Sequence, residues 1–274
     1  MENVKNICIF LFSGTGMTKY VIERIKYGLE VKQVSVDIFL IENVILENIL
    51  LNNYDILGIA YPVHAFNAPK KVIDFIKKLS KVNFKNTFLI STTGETNIIN
   101  NSCSKLLIKI LSKKGYYVFY DKQFEMPANL IVKDNETKVE SKINKIKEET
   151  PNTVNNILNI VSQKQYTNII SDIMAIIGKL ELLGLLISGK LFYVNKECIS
   201  CGICAVNCPN KNIILIKKSA KINRHCGLCM RCIYLCPRRS IKTYWIFKFI
   251  SFDKWYENKE LSINKIKKIM MYEK

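Results

Sequence analysis

Apolar residues arrive in short blocks along the first 130 positions, and the blocks alternate between two periods. Ile7 to Phe12 is a continuous apolar run with the length of a buried strand. It stops at Ser13-Gly14-Thr15-Gly16-Met17-Thr18, after which Val21, Ile22, Ile25 and Leu29 recur at helical spacing. Strand, small-residue turn and helix are predicted in that order. Further strands are predicted at Val34 to Leu40, Asp55 to Ala60, Thr87 to Ser91 and Tyr116 to Tyr120, with helices around Ile41 to Leu51, Pro69 to Leu79 and Ser102 to Lys114 between them. Five strands alternating with helices predict an α/β domain, a doubly wound five-stranded parallel sheet with right-handed crossovers on both faces. Ligands of such sheets sit at the carboxyl ends of the strands, where strand order reverses.

Beyond this domain the pattern becomes sparser. From Asp134 to about Val161, Val139, Ile143, Ile146, Val154, Ile157 and Ile160 recur in a polar background interrupted by Pro151, which predicts one broken helix or two. Ile169 to Leu191 is strongly apolar, but Asp172, Lys179 and Glu181 interrupt it. A spanning helix needs about 20 predominantly apolar residues, so the segment reads as an amphipathic connector packing two domains together. The expected organisation is residues 1–165, a connector over 166–192, a small α+β domain over 193–244 and an extension over 245–274.

Composition sharpens this division. The chain has 274 residues, 49% of them apolar, enough for a sizeable core, and a formal net charge of +18. Residues 190–274 hold 18 Lys+Arg against 5 acids, whereas 1–189 hold 23 against 18, so the excess is local. A general Lys, Asn and Ile bias accounts for part of it without any partner. The opening MENVKNICIF has no basic stretch followed by a small-residue cleavage site, which predicts a cytoplasmic protein. In that reducing compartment the 10 cysteines read as metal ligands or catalytic thiols before disulfides. Cys8, inside an apolar strand, and Cys103, without a neighbouring histidine, are assigned no role.

The turn after the first strand has a specific chemical use. A helix N-terminus presents unpaired N–H groups and partial positive charge, so a small-residue loop there can cradle an anion. Hydroxyls of Ser13, Thr15 and Thr18 add donors, and Gly14 and Gly16 allow close backbone approach. The plain alternative is that Ser or Thr simply caps the helix. The pattern [ST]-x-T-G-x-T directly after a first strand resembles the phosphate loop of the flavodoxins, which hold FMN in this fold. The resemblance implies FMN contacts at Ser13, Gly14, Thr15, Gly16, Met17 and Thr18. It places the flavin ring between the segments Tyr61 to Pro69 and Thr92 to Asn97, with His64 or Phe66 stacking on it and Thr93, Gly94 and Glu95 meeting its pyrimidine edge. The second of these segments carries no Tyr or Trp, unlike typical flavodoxins.

Eight cysteines form the most specific signal in the chain. Cys198-x2-Cys201-x2-Cys204-x3-Cys208-Pro209 recurs 28 residues later as Cys226-x2-Cys229-x2-Cys232-x3-Cys236-Pro237. Three thiolates spaced by two residues can take three corners of a cubane, and in this run the fourth cysteine serves the cluster of the other half. One [4Fe–4S] cluster is therefore assigned to Cys198, Cys201, Cys204 and Cys236, the other to Cys226, Cys229, Cys232 and Cys208. Zinc knuckles also use C-x2-C, but with two ligands per knuckle, so the spacing fits zinc poorly. From about Tyr193 to Thr243 the segment resembles bacterial two-cluster ferredoxins. His225, beside Cys226, could tune the second cluster or be an ordinary surface histidine. Between Lys190 and Lys242 there are 11 Lys+Arg and one acid, Glu197, whereas small ferredoxins of this type are typically acidic.

The whole layout resembles the flavodoxin–ferredoxin fusion proteins of anaerobic bacteria and archaea. The resemblance implies an electron-transfer protein or oxidoreductase moving electrons between FMN, two clusters and an external partner, and the basic charge predicts an acidic redox protein as that partner. No acid/base pair or nucleophile constellation identifies a substrate. An alternative is a ferredoxin-type carrier whose first domain lacks FMN and serves only for docking. The extension, with Trp245, Phe247, Phe249, Phe252, Trp255 and Tyr256 before a basic stretch, reads as a cover for the cysteine-rich domain or as a weak membrane-surface contact. No specific nucleic-acid reader is present in the sequence.

Overall fold

The computed structural model describes residues 4–95, 98–128, 134–179 and 188–244. The extension 245–274, residues 180–187 of the connector, and Thr96 and Asn97 of the second flavin-ring segment lie outside the described residues. The chain separates into two compact units. One comprises Met1–Ser13, Met17–Met126 and Ile143–Lys179, the other Gly14–Gly16, Pro127–Lys142 and Leu180–Lys274.

The first unit is built on β1 (Asn6–Leu11), β2 (Ser35–Leu40), β3 (Ile56–Pro62), β4 (Lys85–Thr93) and β5 (Tyr116–Glu125), ordered β2-β1-β3-β4-β5. Every neighbouring pair is parallel. This is the flavodoxin-like doubly wound order, with its switch point between β1 and β3. Helices α1 (Met17–Val31), α2 (Lys70–Lys78) and α3 (Lys105–Ser112) supply three of the four connections. Ile7, Cys8, Ile9, Phe10 and Leu11 of β1 are all fully buried, as a central parallel strand covered on both faces requires. α1 buries Val21, Ile22, Ile25 and Leu29, and α2 buries Val72, Ile73, Phe75 and Ile76, the apolar positions that announced each helix.

Two local expectations are corrected. Residues 41–51 form no α-helix; the chain makes two short 3₁₀ turns at Leu46–Asn48 and Leu51–Asn53. Ile45 and Leu50 stay 61% and 68% exposed, so no buried stripe offsets the poor helix propensity of a stretch rich in Ile and Asn. Conversely, α4 (Glu136–Leu158) runs unbroken through Pro151. Ile143 and Ile146 before the proline and Val154 and Ile157 after it are all buried, and this packing outweighs the lost hydrogen bond. The Thr150 hydroxyl donates to the Ile146 carbonyl at 2.6 Å and the Thr153 hydroxyl to the Glu149 carbonyl at 3.0 Å.

The described part of the connector is α5 (Ile169–Gly178), opened by a reciprocal capping box between Asn168 and Ser171. Its buried residues are Ser171 and Gly178, while Ile169, Ile170, Ile173, Ile176 and Ile177 are exposed. The polar and small face therefore packs inward. Asp172 accepts from the Ser102 hydroxyl at 2.6 Å and from Lys105 at 2.7 Å.

In the second unit, β6 (Phe192–Val194), α6 (Ile203–Val206), β7 (Ile213–Ile216), β8 (Ser219–Ile222), α7 (Arg231–Leu235) and β9 (Ile241–Thr243) follow one another. β6 pairs with β9 and β7 with β8, both antiparallel. The 28-residue repeat of the cysteines is also a repeat of structure, since β6, α6 and β7 recur as β8, α7 and β9. Among the described residues no helix is long and apolar enough to cross a membrane.

Candidate functional site

The segments singled out for FMN follow β1, β3 and β4, at the carboxyl ends of these strands. Ser13 to Thr18 leave β1 and enter α1, where Gly16 has φ +92°, a conformation that favours glycine. The amide of Lys19 donates to the Ser13 hydroxyl at 3.3 Å, so Ser13 serves in part as a helix cap. The Thr18 hydroxyl pairs with that of Thr92 at 2.8 Å, both buried, tying the start of α1 to the end of β4. Thr92 entered the sequence reading as the start of the second flavin-ring segment, and neither its type nor its neighbours signal this pairing with Thr18.

After β4, the side chain of Asn100 donates to the Thr93 hydroxyl at 3.1 Å and to the Glu95 carbonyl at 2.9 Å, and Thr93 donates to the same carbonyl at 3.1 Å. Thr93 is buried, Gly94 half-buried and Glu95 exposed. After β3, His64 and Asn67 exchange backbone hydrogen bonds of 2.8 and 2.9 Å around Ala65 and Phe66. Those two residues take φ +38° and +64°, a left-handed pair in a tight turn that ordinarily selects Asn and Gly. His64 and Phe66 are half-buried, and burial pushes the His64 imidazole down to about 4, which keeps it neutral at physiological pH.

The C-terminal end of α5 rests on this turn. A Cβ on Gly178 would stand 1.8 Å from the Ala65 carbonyl oxygen, so the approach demands glycine, and the Asn67 side chain donates to the Ala175 carbonyl at 2.8 Å. Sequence reading placed this helix in a connector; its contact with the turn had no local signal. Beneath the edge, the Tyr61 and Ser104 hydroxyls lie 2.8 Å apart and Ser104 donates to Asp121 at 3.0 Å. Burial pushes the Asp121 carboxyl up to about 7. Burial, aided by the Asp121 charge, lifts the Cys103 thiol to about 11, which suits the inert role expected of it.

The second unit brings all eight cysteines of the repeat into two neighbourhoods. Cys204 is pushed up to about 11 by burial and then by Cys236, Cys201 and Cys198. Burial lifts Cys232 well above the usual thiol range, followed by Cys229, Cys226 and Cys208, with Cys204 the weakest contributor. Cys226 rises to about 12 through burial, Cys229 and Cys208. The fourth cysteine of each run is thus felt by the thiols of the other run. Cys198, Cys201, Cys204 and Cys236 also line one recess together with Ser240. Among the described residues no group of three or more His, Cys, Asp or Glu side chains stands close enough to hold a metal ion.

The backbone of the two runs is matched. Ser200 and Leu228 have φ +54° and +48°, Gly202 and Met230 have +76° and +60°, and Lys211 and Arg239 have +50° and +49°. Each pair is 28 positions apart. The two loops thus repeat their backbone conformation as well as their cysteine spacing. Backbone amides point at sulfur in both halves, Asn212 N–H to Cys208 Sγ at 3.3 Å and Ser240 N–H to Cys236 Sγ at 3.2 Å. Cys198 is held below the usual thiol range, since burial is outweighed by the amides of Ser200 and Ala220 and the Ser219 hydroxyl. The buried Ser240 hydroxyl, on the recess wall, has no hydrogen-bond partner among the described residues. Eight thiols with amide donors aimed at sulfur are the residue types that a thiolate-bound cluster uses.

No family model matches the chain, and no curated protein matches it. Among solved structures, a flavodoxin from the domain Archaea is 14% identical with a TM-score of 0.35, over 56% of this chain and 98% of that one. The two-electron reduced flavodoxin of Megasphaera elsdenii is 14% identical with a TM-score of 0.35, over 43% and 84%. The Trp repressor binding protein of Bacillus subtilis is 15% identical with a TM-score of 0.38, over 56% and 97%. The fold assignment stands on strand order and register.

Proposed function

We propose that the chain is an electron-transfer protein that carries FMN at the carboxyl edge of its sheet and two [4Fe–4S] clusters in its cysteine-rich unit. The observation that carries the reading is the 28-residue repeat, in which cysteine spacing and three pairs of left-handed residues all recur. Support for the crossed ligand sets comes from Cys236 acting on Cys204 and Cys208 acting on Cys226 and Cys232. When bound, such clusters exchange single electrons and FMN one or two. The chain's own part is to hold the thiolates, aim the amides of Asn212 and Ser240 at sulfur and offer the first turn of α1 to a phosphate. The basic surface of the cysteine-rich unit fits an acidic redox partner.

The test is anaerobic reconstitution followed by iron, sulfide and flavin analysis. About eight irons, eight sulfides and one FMN per chain are expected; bound zinc with no acid-labile sulfide would sink the cluster reading. A second reading keeps the clusters but makes the first unit a docking domain without FMN. The observation that favours it is α5 resting on the His64–Asn67 turn, where the flavin ring would need room. Loss of all flavin on gel filtration, with the iron retained, would select it.

A further inference from the structure

The eight cysteines differ in their access to solvent: Cys201 is exposed and the other seven are not. Electron exchange with a partner is shortest where a cofactor ligand reaches the surface, which makes Cys201 the point of access. Ile199 and Leu215 line the same recess as Cys201, are 57% and 46% exposed, and are accompanied there by Arg238. Leu215 comes from the β7–β8 hairpin, and its Cδ1 would stand 3.6 Å from a Cβ on Gly202. In the hairpin register Leu215 lies opposite Ala220, which also lines the recess, while Ile214 opposite Lys221 takes the alternate face.

The tip of this hairpin is Lys217-Lys218, both exposed. Lys217 has φ +53°, a conformation that two-residue hairpins usually give to Asn or Gly. A strained, exposed turn built from two like charges beside an exposed ligand loop is a feature of function rather than of stability. Glu197 is the one acid between Lys190 and Lys242, so Lys217, Lys218 and Arg238 belong to a stretch of strongly positive net charge. An apolar centre ringed by one sign of charge is the anatomy of a transient docking surface for a partner of the opposite sign.

We propose that Ile199, Leu215, Lys217, Lys218 and Arg238 form the docking surface on which a small acidic one-electron carrier reaches the thiol set of Cys198, Cys201, Cys204 and Cys236. The proposal rests on the iron–sulfur reading above. The transfer is a bare electron step: the reduced carrier loses one electron, the cluster at Cys201 gains one, and no bond forms or breaks.

The test uses the anaerobically reconstituted full chain and a reduced acidic plant-type [2Fe–2S] ferredoxin as the probe, mixed by stopped flow at low and high salt. Lys217→Asn/Lys218→Ser removes both charges while giving the left-handed position a residue that tolerates it, so this variant folds at least as well as the parent. Lys77→Gln/Lys78→Gln on α2 makes the same change in charge elsewhere. We expect the rate constant of the parent to fall about tenfold or more between low and high salt. The hairpin variant should lose about fivefold or more at low salt and the α2 variant less than about twofold, with dithionite reduction equal in all three. Equal low-salt rates in the parent and the hairpin variant, or equal losses in both variants, would overturn the docking surface. So would a hairpin variant whose one defect is weaker binding to anionic phospholipid vesicles. A chain that takes up no iron would be seen in its absorbance before any mixing, and would remove the iron–sulfur reading together with this proposal.

Discussion

Ala65 and Phe66 occupy left-handed backbone positions without being Asn or Gly. Relieving one of them should be measurable. In Ala65→Gly the strain released, about 1–2 kcal/mol, is partly offset by the larger unfolded-state entropy of glycine, about 0.5–1 kcal/mol. A gain of about 0.5–1 kcal/mol in urea unfolding is expected, and a less stable variant would show that the turn stores no strain. Two titrating side chains near the same edge oppose each other. His64 is lowered from 6.5 to about 4, so the unfolded chain binds the extra proton between those values and stability rises with pH across that window. Asp121 is raised from 3.8 to about 7, so the folded chain binds the extra proton and stability falls as pH rises from about 4 to about 7. In the parent the two slopes offset. Asp121→Asn, which keeps an acceptor for Ser104, should leave a rise in stability from pH 4 to 6.5, and His64→Gln should leave a fall from pH 4 to 7. Urea midpoints across that range check both, and parallel curves for all three proteins would contradict the assignments.

Helices α4 and α5 show where local sequence and tertiary packing part company. Pro151 signalled a break that Ile143, Ile146, Val154 and Ile157 prevent. Since a proline inside a helix costs about 3 kcal/mol, Pro151→Ala should stabilise the chain by about 1–3 kcal/mol in denaturant unfolding; an unchanged midpoint would mean that the helix has already absorbed the cost. Gly178→Ala should act in the opposite direction, because its Cβ would meet the Ala65 carbonyl at 1.8 Å. A loss of about 2 kcal/mol, with faster hydrogen exchange over residues 169–178, is expected. The strands were legible because central parallel strands bury both faces, and continuous apolar runs such as Ile7 to Phe12 have few other uses. The segment 41–51 misled because it has apolar residues near helical spacing but nothing to bury them against. The partners of Thr18, Gly178 and Asp121 lie between 17 and 113 positions away. Such pairings are properties of the folded arrangement and leave no period in the chain.

At the scale of the whole molecule the cysteine-rich unit is one βαβ element used twice, and its repeat was legible because ligand spacing is itself a sequence pattern. The proposed crossing of the fourth cysteine between halves would have a consequence for folding as well as for electrons. A ligand contributed by the other half would link the two repeats through metal, leaving neither half complete alone. Single serine substitutions lower iron whichever way the ligands are shared, and only pairs discriminate. With crossed sets, Cys208 and Cys226 serve the same cluster, so Cys208→Ser/Cys226→Ser should keep about four irons per chain, whereas Cys208→Ser/Cys198→Ser should keep almost none. Uncrossed sets reverse the two outcomes, because Cys208 would then share its cluster with Cys198. Iron and sulfide analysis of the two double variants, with circular dichroism to show that each is folded, decides between them. The retained cluster in Cys208→Ser/Cys226→Ser is the one whose ligand Cys201 reaches the surface. Its reduction by an acidic carrier should therefore proceed at close to the parent rate, even with half the iron gone.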